Sequence, residues 1–489
     1  MNTSHLQWAR DDVARAELGD PRRLRRAVVI LGDLARHGAG TITASIRRVA
    51  KREAAYRFVE NLRIEARALV RSAALACLDR LQEGLTYFLV PLDFCFLTLP
   101  GAARTATGPI GTSRQSHCRG LVAMTGLALT PRGTPLGLCF QELFARSDRR
   151  RPKGPCRRCR ATWKHRKLRG RGRPNSCSHR QQARMALPLA QKETRFWVNA
   201  MDFVVARVAE ADTKARPWFQ GDRGADFWDL LTWASDHHSQ AWVTVRCKID
   251  RKLEPGGRVR QALGQRPVLG RKEVEIPALG SRQARTAQVE IRAAPVVVTS
   301  KQRSGRAPLG VVWVHEVGPV PEGQARLDWV LWTTYPIRTL QAVLTVVTSY
   351  EHRWVIEEFH KTWKSVCGVE KTQLRSLHAL QVWATLLAMA AVRIQRLLKR
   401  ARENPTAPAS SEFSDLELQA LLLHAPGLRK PKSAPTLAAA VEAIATLGGY
   451  TGKSSGGPPG PITLGRGLED LRVATATIDV LIRTGRLNL

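Results

Sequence analysis

The stretch Tyr350-Glu351-His352-Arg353-Trp354-Val355-Ile356-Glu357-Glu358-Phe359-His360-Lys361-Thr362-Trp363-Lys364 has neither Gly nor Pro and mixes apolar with charged residues, so it reads as helix. A helix advances about 100° per residue. Tyr350, Glu357 and Lys364 then share one stripe, and Arg353 stands on the same flank. Trp354, Ile356, Phe359 and Trp363 are left to anchor other faces. One helix thus presents a phenol, a guanidinium, a carboxylate and an ammonium in a row. A carboxylate binds a hard divalent cation through oxygen, and Arg and Lys among such carboxylates grip phosphate. The same spacing also describes a surface helix laced with ion pairs, so the rest of the chain must decide.

The 489 residues are too many for one core, and two to four domains are expected. Lys and Arg number 77 against 41 Asp and Glu, a net charge of +36 with a pI near 11.0. Such an excess implies a polyanionic partner. No continuous run of apolar residues is long enough to argue for a membrane span, and the first residues lack a signal-peptide pattern. Nine scattered cysteines suit a reducing cytosol. Together these features point to a cytoplasmic, nucleic-acid-binding protein.

Two further acids stand out. Asp93 is the single carboxylate in the apolar run Leu85–Phe96, which reads as a buried strand. An ionised Asp there is either a strand-end capping group or a ligand, because an unpaired buried charge costs free energy. Asp222 lies in Trp218-Phe219-Gln220-Gly221-Asp222-Arg223-Gly224-Ala225-Asp226, a strand-to-helix turn, and strand ends collect ligand sites in α/β folds. Asp222 or Asp226 could equally be a helix cap. The segments Arg119–Met124 and Gly133–Leu138 fit two antiparallel strands. From about 248 to 325, alternating apolar and polar residues with Gly and Pro turns read as an antiparallel β insertion. At the N-terminus, Asp20 caps a helix that starts at Pro21 and carries Arg22, Arg23 and Arg26 in its first turns.

Tyr350-x2-Arg353-x3-Glu357-x6-Lys364 resembles the signature helix of bacterial cut-and-paste transposases of the insertion-sequence-four family, especially the transposon-five type. Asp222-Arg223-Gly224-Ala225-Asp226 resembles the segment that carries that family's second catalytic Asp, and Leu18-Gly19-Asp20-Pro21-Arg22-Arg23 resembles its DNA-end-binding domain. The resemblance implies an α/β, RNase H-like catalytic domain over 71–375 with the β insertion inside it. A helical transposon-end-binding domain over 1–70 and a helical dimerisation domain over 376–489 would flank it. It also implies that Asp93, Asp222 and Glu357 hold two Mg²⁺ or Mn²⁺ ions about 3.5–4 Å apart. Arg22, Arg23 and Arg26 would then contact the transposon end, with Tyr350, Arg353 and Lys364 on its phosphates. Trp329 would stack on a flipped base during hairpin formation. The partners implied are double-stranded DNA, as ends and as target, and a second copy in a synaptic homodimer, in a bacterial cytoplasm at the nucleoid. Two departures matter. Phe94-Cys95 replaces the Thr-Thr usual after the first Asp, and Gly465 stands where a Trp is usual, which would weaken one packing contact.

A basic segment at 147–182 matches no standard part of the family. Cys156, Cys159, Cys177 and His179 within it could hold zinc, or the segment could simply grip DNA. Two rival functions remain: a degenerate protein that binds DNA ends without cutting, and a metal-dependent nuclease without strand transfer.

Overall fold

The apolar runs read as strands assemble around β1 (Tyr87–Thr98) in the computed structural model, which describes residues 4–36, 39–110, 118–147, 187–276, 284–300, 305–425, 434–452 and 457–487. The other strands are β2 (Gly108–Pro109), β3 (Arg119–Leu129), β4 (Pro135–Phe144), β5 (Arg216–Gly221), β6 (Trp242–Arg246), β7 (Leu253–Glu254), β8 (Gly270–Ile276), β9 (Arg285–Ser300), β10 (Gly305–Glu316) and β11 (Asp328–Thr333). Among the described residues they form one sheet, ordered β2-β3-β1-β5-β6-β11-β10-β9-β7, with β4 on β3 and β8 on β9. β1 runs antiparallel to β3 and β3 to β4, whereas β1, β5 and β6 are parallel. This mixed five-stranded unit is the arrangement expected of an RNase H-like core.

Burial explains the two kinds of strand. β3 is buried almost throughout, as its apolar run Leu121–Met124 and Leu127–Leu129 requires of a strand covered on both faces. β9 and β10 alternate buried and exposed positions, as the sequence pattern predicts. The β insertion extends the same sheet, because β11 pairs with β6 at Thr244–Arg246 and passes the ladder on to β10. It builds its own small core from Leu231, Leu253, Val259, Val298, Val311 and Trp332.

The three expected domains share one packed core. Residue 70, the predicted first boundary, falls inside the helix Ala66–Asp79, which lies against β4. One continuous core runs from Ala9 in the N-terminal helices through the sheet to Ile478 near the C-terminus. Its spine is the helix Leu377–Glu403, buried on nearly all sides from Ala379 to Leu398. By length and composition this helix could cross a membrane, yet most of it is enclosed by the fold. Its Trp383 Nε1 donates to the Gly40 carbonyl (2.6 Å), and Arg47 pairs with Glu469 (2.5 Å), which ties the N-terminal region to the C-terminal helices.

The C-terminal helices Leu437–Leu447 and Pro461–Arg483 pack on this spine and on each other, and Asp415–His424 packs on both of them. At Gly465 a Cβ would run into the Val366 side chain. The segment carrying Cys156, Cys159, Cys177 and His179 lies outside the described residues.

Candidate active site

Strand register brings two of the acids together. Pro91 of β1 pairs with Gln220 of β5, so two residues further on Asp93 stands level with Asp222. β5 stops at Gly221, and Asp222 turns the chain by accepting a hydrogen bond from Gly224 N (2.7 Å). β1 continues past Asp93 to Thr98, paired with β3 alone, so Asp93 sits within a strand rather than at its end. Its Oδ1 accepts from Phe94 N (2.8 Å).

Glu357 arrives on the short helix Val355–Lys361, which is seated by the fully buried Ile356, Phe359 and Trp363. Trp363 Nε1 also donates to the Ala384 carbonyl (3.1 Å). Arg353 joins the acids. Its Nη2 pairs with Glu357, its Nη1 lies 3.5 Å from Asp93 Oδ2, and its guanidinium sits 6.0 Å from the Tyr350 ring centre. Burial pushes the Asp93 carboxyl up to about 7; Asp222 and Glu357 add to that rise, while Arg353 and the Phe94 N–H oppose it.

The signature stretch is not one helix. It runs from the α-helix Leu340–Glu351 through a 3₁₀ turn at His352–Trp354 and the α-helix Val355–Lys361 to a π turn at Thr362–Val366. Tightening and then widening of the backbone breaks the constant 100° step, and the predicted single stripe dissolves. Tyr350 is 4% exposed, and its hydroxyl donates (3.4 Å) to the carbonyl of Gly221, the residue before Asp222. Lys364 leaves the acids altogether. Its Nζ donates to the Phe96 carbonyl (2.5 Å) and lies 3.4 Å from Glu370, beyond the site on β1. Trp329 remains beside the centre, its ring edge-on to Tyr350 at 5.5 Å.

Asp226 proves to be a different kind of residue from Asp222. Its side chain is wholly buried and accepts from Lys248 N (2.7 Å), Ile249 N (3.0 Å) and both Arg251 Nε (3.0 Å) and Nη2 (2.6 Å). Every acceptor direction is used to hold the insertion against the turn. Arg246 was missed in the sequence. Gly221 pairs with Val245, which puts Arg246 level with Asp222 on the next strand. The strand-end rule that found Asp222, applied to Ala241–Arg246, would have found it. Arg22, Arg23 and Arg26 lie on the helix Pro21–Arg36, away from the sheet. Asp20 caps that helix through Arg22 N (2.7 Å), and Arg23 Nη1 is tied to the Leu18 carbonyl (2.7 Å).

Among the described residues, no three His, Cys, Asp or Glu side chains are already gathered as a metal cage. At the acids the reason is visible: the Arg353 guanidinium reaches both Asp93 and Glu357. The donor set still suits a hard divalent cation, since Asp93 stands level with Asp222 and shares Arg353 with Glu357, and the mutual repulsion of such carboxylates is what a cation relieves.

A family model described as transposase DNA-binding matches residues 5–64, and one described as the transposase DDE domain matches 142–393. Asp222 and Glu357 fall inside the second match and Asp93 precedes it. Among solved structures, a cryo-EM structure of the piggyBac transposase synaptic complex with hairpin DNA is similar at 8% identity and a TM-score of 0.33. That match covers 74% of this chain and 55% of the other, so this chain spans little more than half of that one's length. A likeness at this level carries no argument of its own.

Proposed function

This chain belongs to the DDE transposases, and we propose that it binds the ends of a mobile DNA element, cuts them and joins them to target DNA. The observation that carries the reading is the placement of Asp93 level with Asp222 where β5 ends and bridged by Arg353 to Glu357, in a chain of net charge +36. Within the family we place it with the insertion-sequence-four group of bacteria, working in the cytoplasm at the nucleoid. Asp93, Asp222 and Glu357 would hold two Mg²⁺ or Mn²⁺ ions, which when bound supply an activated attacking oxygen and stabilise the leaving oxygen of the phosphodiester.

The chain's own residues do the rest. Arg353 compensates the carboxylates and offers its fork of donors to a DNA phosphate. Arg246, one strand over from Asp222, adds positive charge where a second phosphate would lie. Arg22, Arg23 and Arg26 grip the element's end, and residues 376–489 pair two copies so that both ends are cut together. Phe94 does not argue for a degenerate protein: its ring packs on Phe196 (6.4 Å) and Trp197 (5.8 Å), on the face opposite the acids.

Trp329 is assigned to a flipped base in a hairpin step. Trp329→Ala is expected to leave first-strand nicking within about twofold while lowering hairpin yield ~tenfold, the loss of one stacking contact. Denaturing gels of end-labelled DNA separate the two products.

Proton and metal compete for Asp93. Its folded value of about 7 stands above the ordinary 3.8, so the folded state keeps a proton that the unfolded chain releases between those values. The metal-free protein therefore loses stability at this group as pH rises through that window. Mn²⁺ affinity is expected to fall about tenfold per pH unit below about 7, which calorimetric titration on either side of neutrality checks.

The overall reading is tested by incubating the full chain with the element's own terminal DNA and a target plasmid at stated ionic strength. Joined products are expected. Cleaved ends that never join would favour a nuclease, and tight binding without cleavage would leave a DNA-end binder.

A further inference from the structure

Two polar side chains stand among the apolar residues of β3 and β4 and have no role in the site as described so far. Asp93 of β1 pairs with Thr125 of β3, and Thr125 pairs with Gln141 of β4. Directly paired residues point to the same face of a sheet with Cβ atoms about 4.5–5.5 Å apart. The three side chains therefore form a row leading away from the acids. Their chain neighbours Phe94 and Phe140 face the other way, onto Phe196 and Phe203.

The row is buried. Thr125 is 0% exposed and Gln141 6%. Among the described residues, neither the Thr125 hydroxyl nor either amide atom of Gln141 has a hydrogen-bond partner. Leaving such groups unpaired in an apolar sheet is unfavourable. For folding alone, Val at 125, which has the same shape, and Met at 141 would serve better.

We propose that Thr125, backed by Gln141, is a positioning residue for Asp93, orienting its carboxylate toward a bound divalent ion. The proposal rests on the reading of Asp93 as a metal ligand. An ionised Asp is an acceptor only, a hydroxyl both donates and accepts, and an amide N–H₂ donates. The direction is thus fixed: Gln141 Nε2 donates to Thr125 Oγ1, and Thr125 O–H donates to Asp93. Asp93 Oδ1 accepts from its own neighbour's N–H, that of Phe94. Turning that oxygen toward a metal brings the carboxylate's remaining lone pair to Thr125, and such bonds commonly close only in the loaded site.

The test compares wild type with Thr125→Val, Thr125→Ser and Gln141→Met in the full chain. Thermal melting, Mn²⁺ binding by electron paramagnetic resonance and Mg²⁺ dependence of end cleavage are measured for each. T125V is expected to melt at or above the wild-type temperature yet bind Mn²⁺ about tenfold more weakly. Its cleavage should recover at saturating Mg²⁺. T125S should keep the wild-type affinity to within about twofold, since the hydroxyl remains. A folded T125V with wild-type Mn²⁺ affinity and Mg²⁺ dependence would overturn the proposal. Should T125V fail to fold, Q141M decides: weaker Mn²⁺ binding at an unchanged melting temperature supports the row, and unchanged binding overturns it. Wild type that binds no Mn²⁺ and cuts no DNA would instead overturn the reading of Asp93 itself, and this proposal with it.

Discussion

Asp222→Asn is expected to lower DNA cleavage by ~10³ or more while leaving the fold intact, because it removes a metal-holding charge worth several kcal/mol in the transition state. The amide keeps an oxygen for the Gly224 N–H, so the turn that ends β5 survives. Asp222 is partly exposed, and its loss leaves no buried cation without a partner. The variant should bind end DNA as wild type does, since the N-terminal arginines are untouched. Nicking of end-labelled DNA in Mg²⁺, set beside binding at the same salt, reads both halves of this expectation.

Asp226→Ala should behave in the opposite way, with a cost of about 3–5 kcal/mol in stability. The change strands Arg251, whose side chain is 14% exposed, and deprives the Lys248 and Ile249 N–H groups of their acceptor. The start of the β insertion would lose its tie to the turn at Arg223–Ala225. A large drop in melting temperature is the expected result. Mn²⁺ affinity of whatever fraction remains folded should stay near that of wild type. Two carboxylates four residues apart thus separate chemistry from folding.

That separation shows what the sequence could and could not reveal. Either Asp222 or Asp226 could be a cap when only neighbours in the chain are visible; the difference lies in Arg251, whose contact depends on how the insertion folds back. Asp93 stood out because one charge in an apolar run demands a partner. The strand unit was readable for the same reason that β3 is buried on both faces and β9 on one. The long Tyr350–Lys364 helix was misread because helical phase assumes a constant turn, whereas the backbone shifts to 3₁₀ and then π geometry. Lys364 went astray with it. The boundary expected at 70 falls inside the helix Ala66–Asp79, whose contact with β4 no pattern within the helix records. Thr125 and Gln141 look unremarkable in a linear reading, since only register places them beside Asp93.

The central claim is that Asp93, Asp222 and Glu357 hold divalent metal at one centre. Loading the full chain with Fe²⁺ on its end DNA and adding peroxide generates hydroxyl radicals that cut the backbone nearest the metal. The account predicts fragments ending near residues 93, 222 and 357, lost when Mg²⁺ competes. Backbone cuts confined to other segments, or cuts near those three residues that persist in Asp222→Asn, would contradict it.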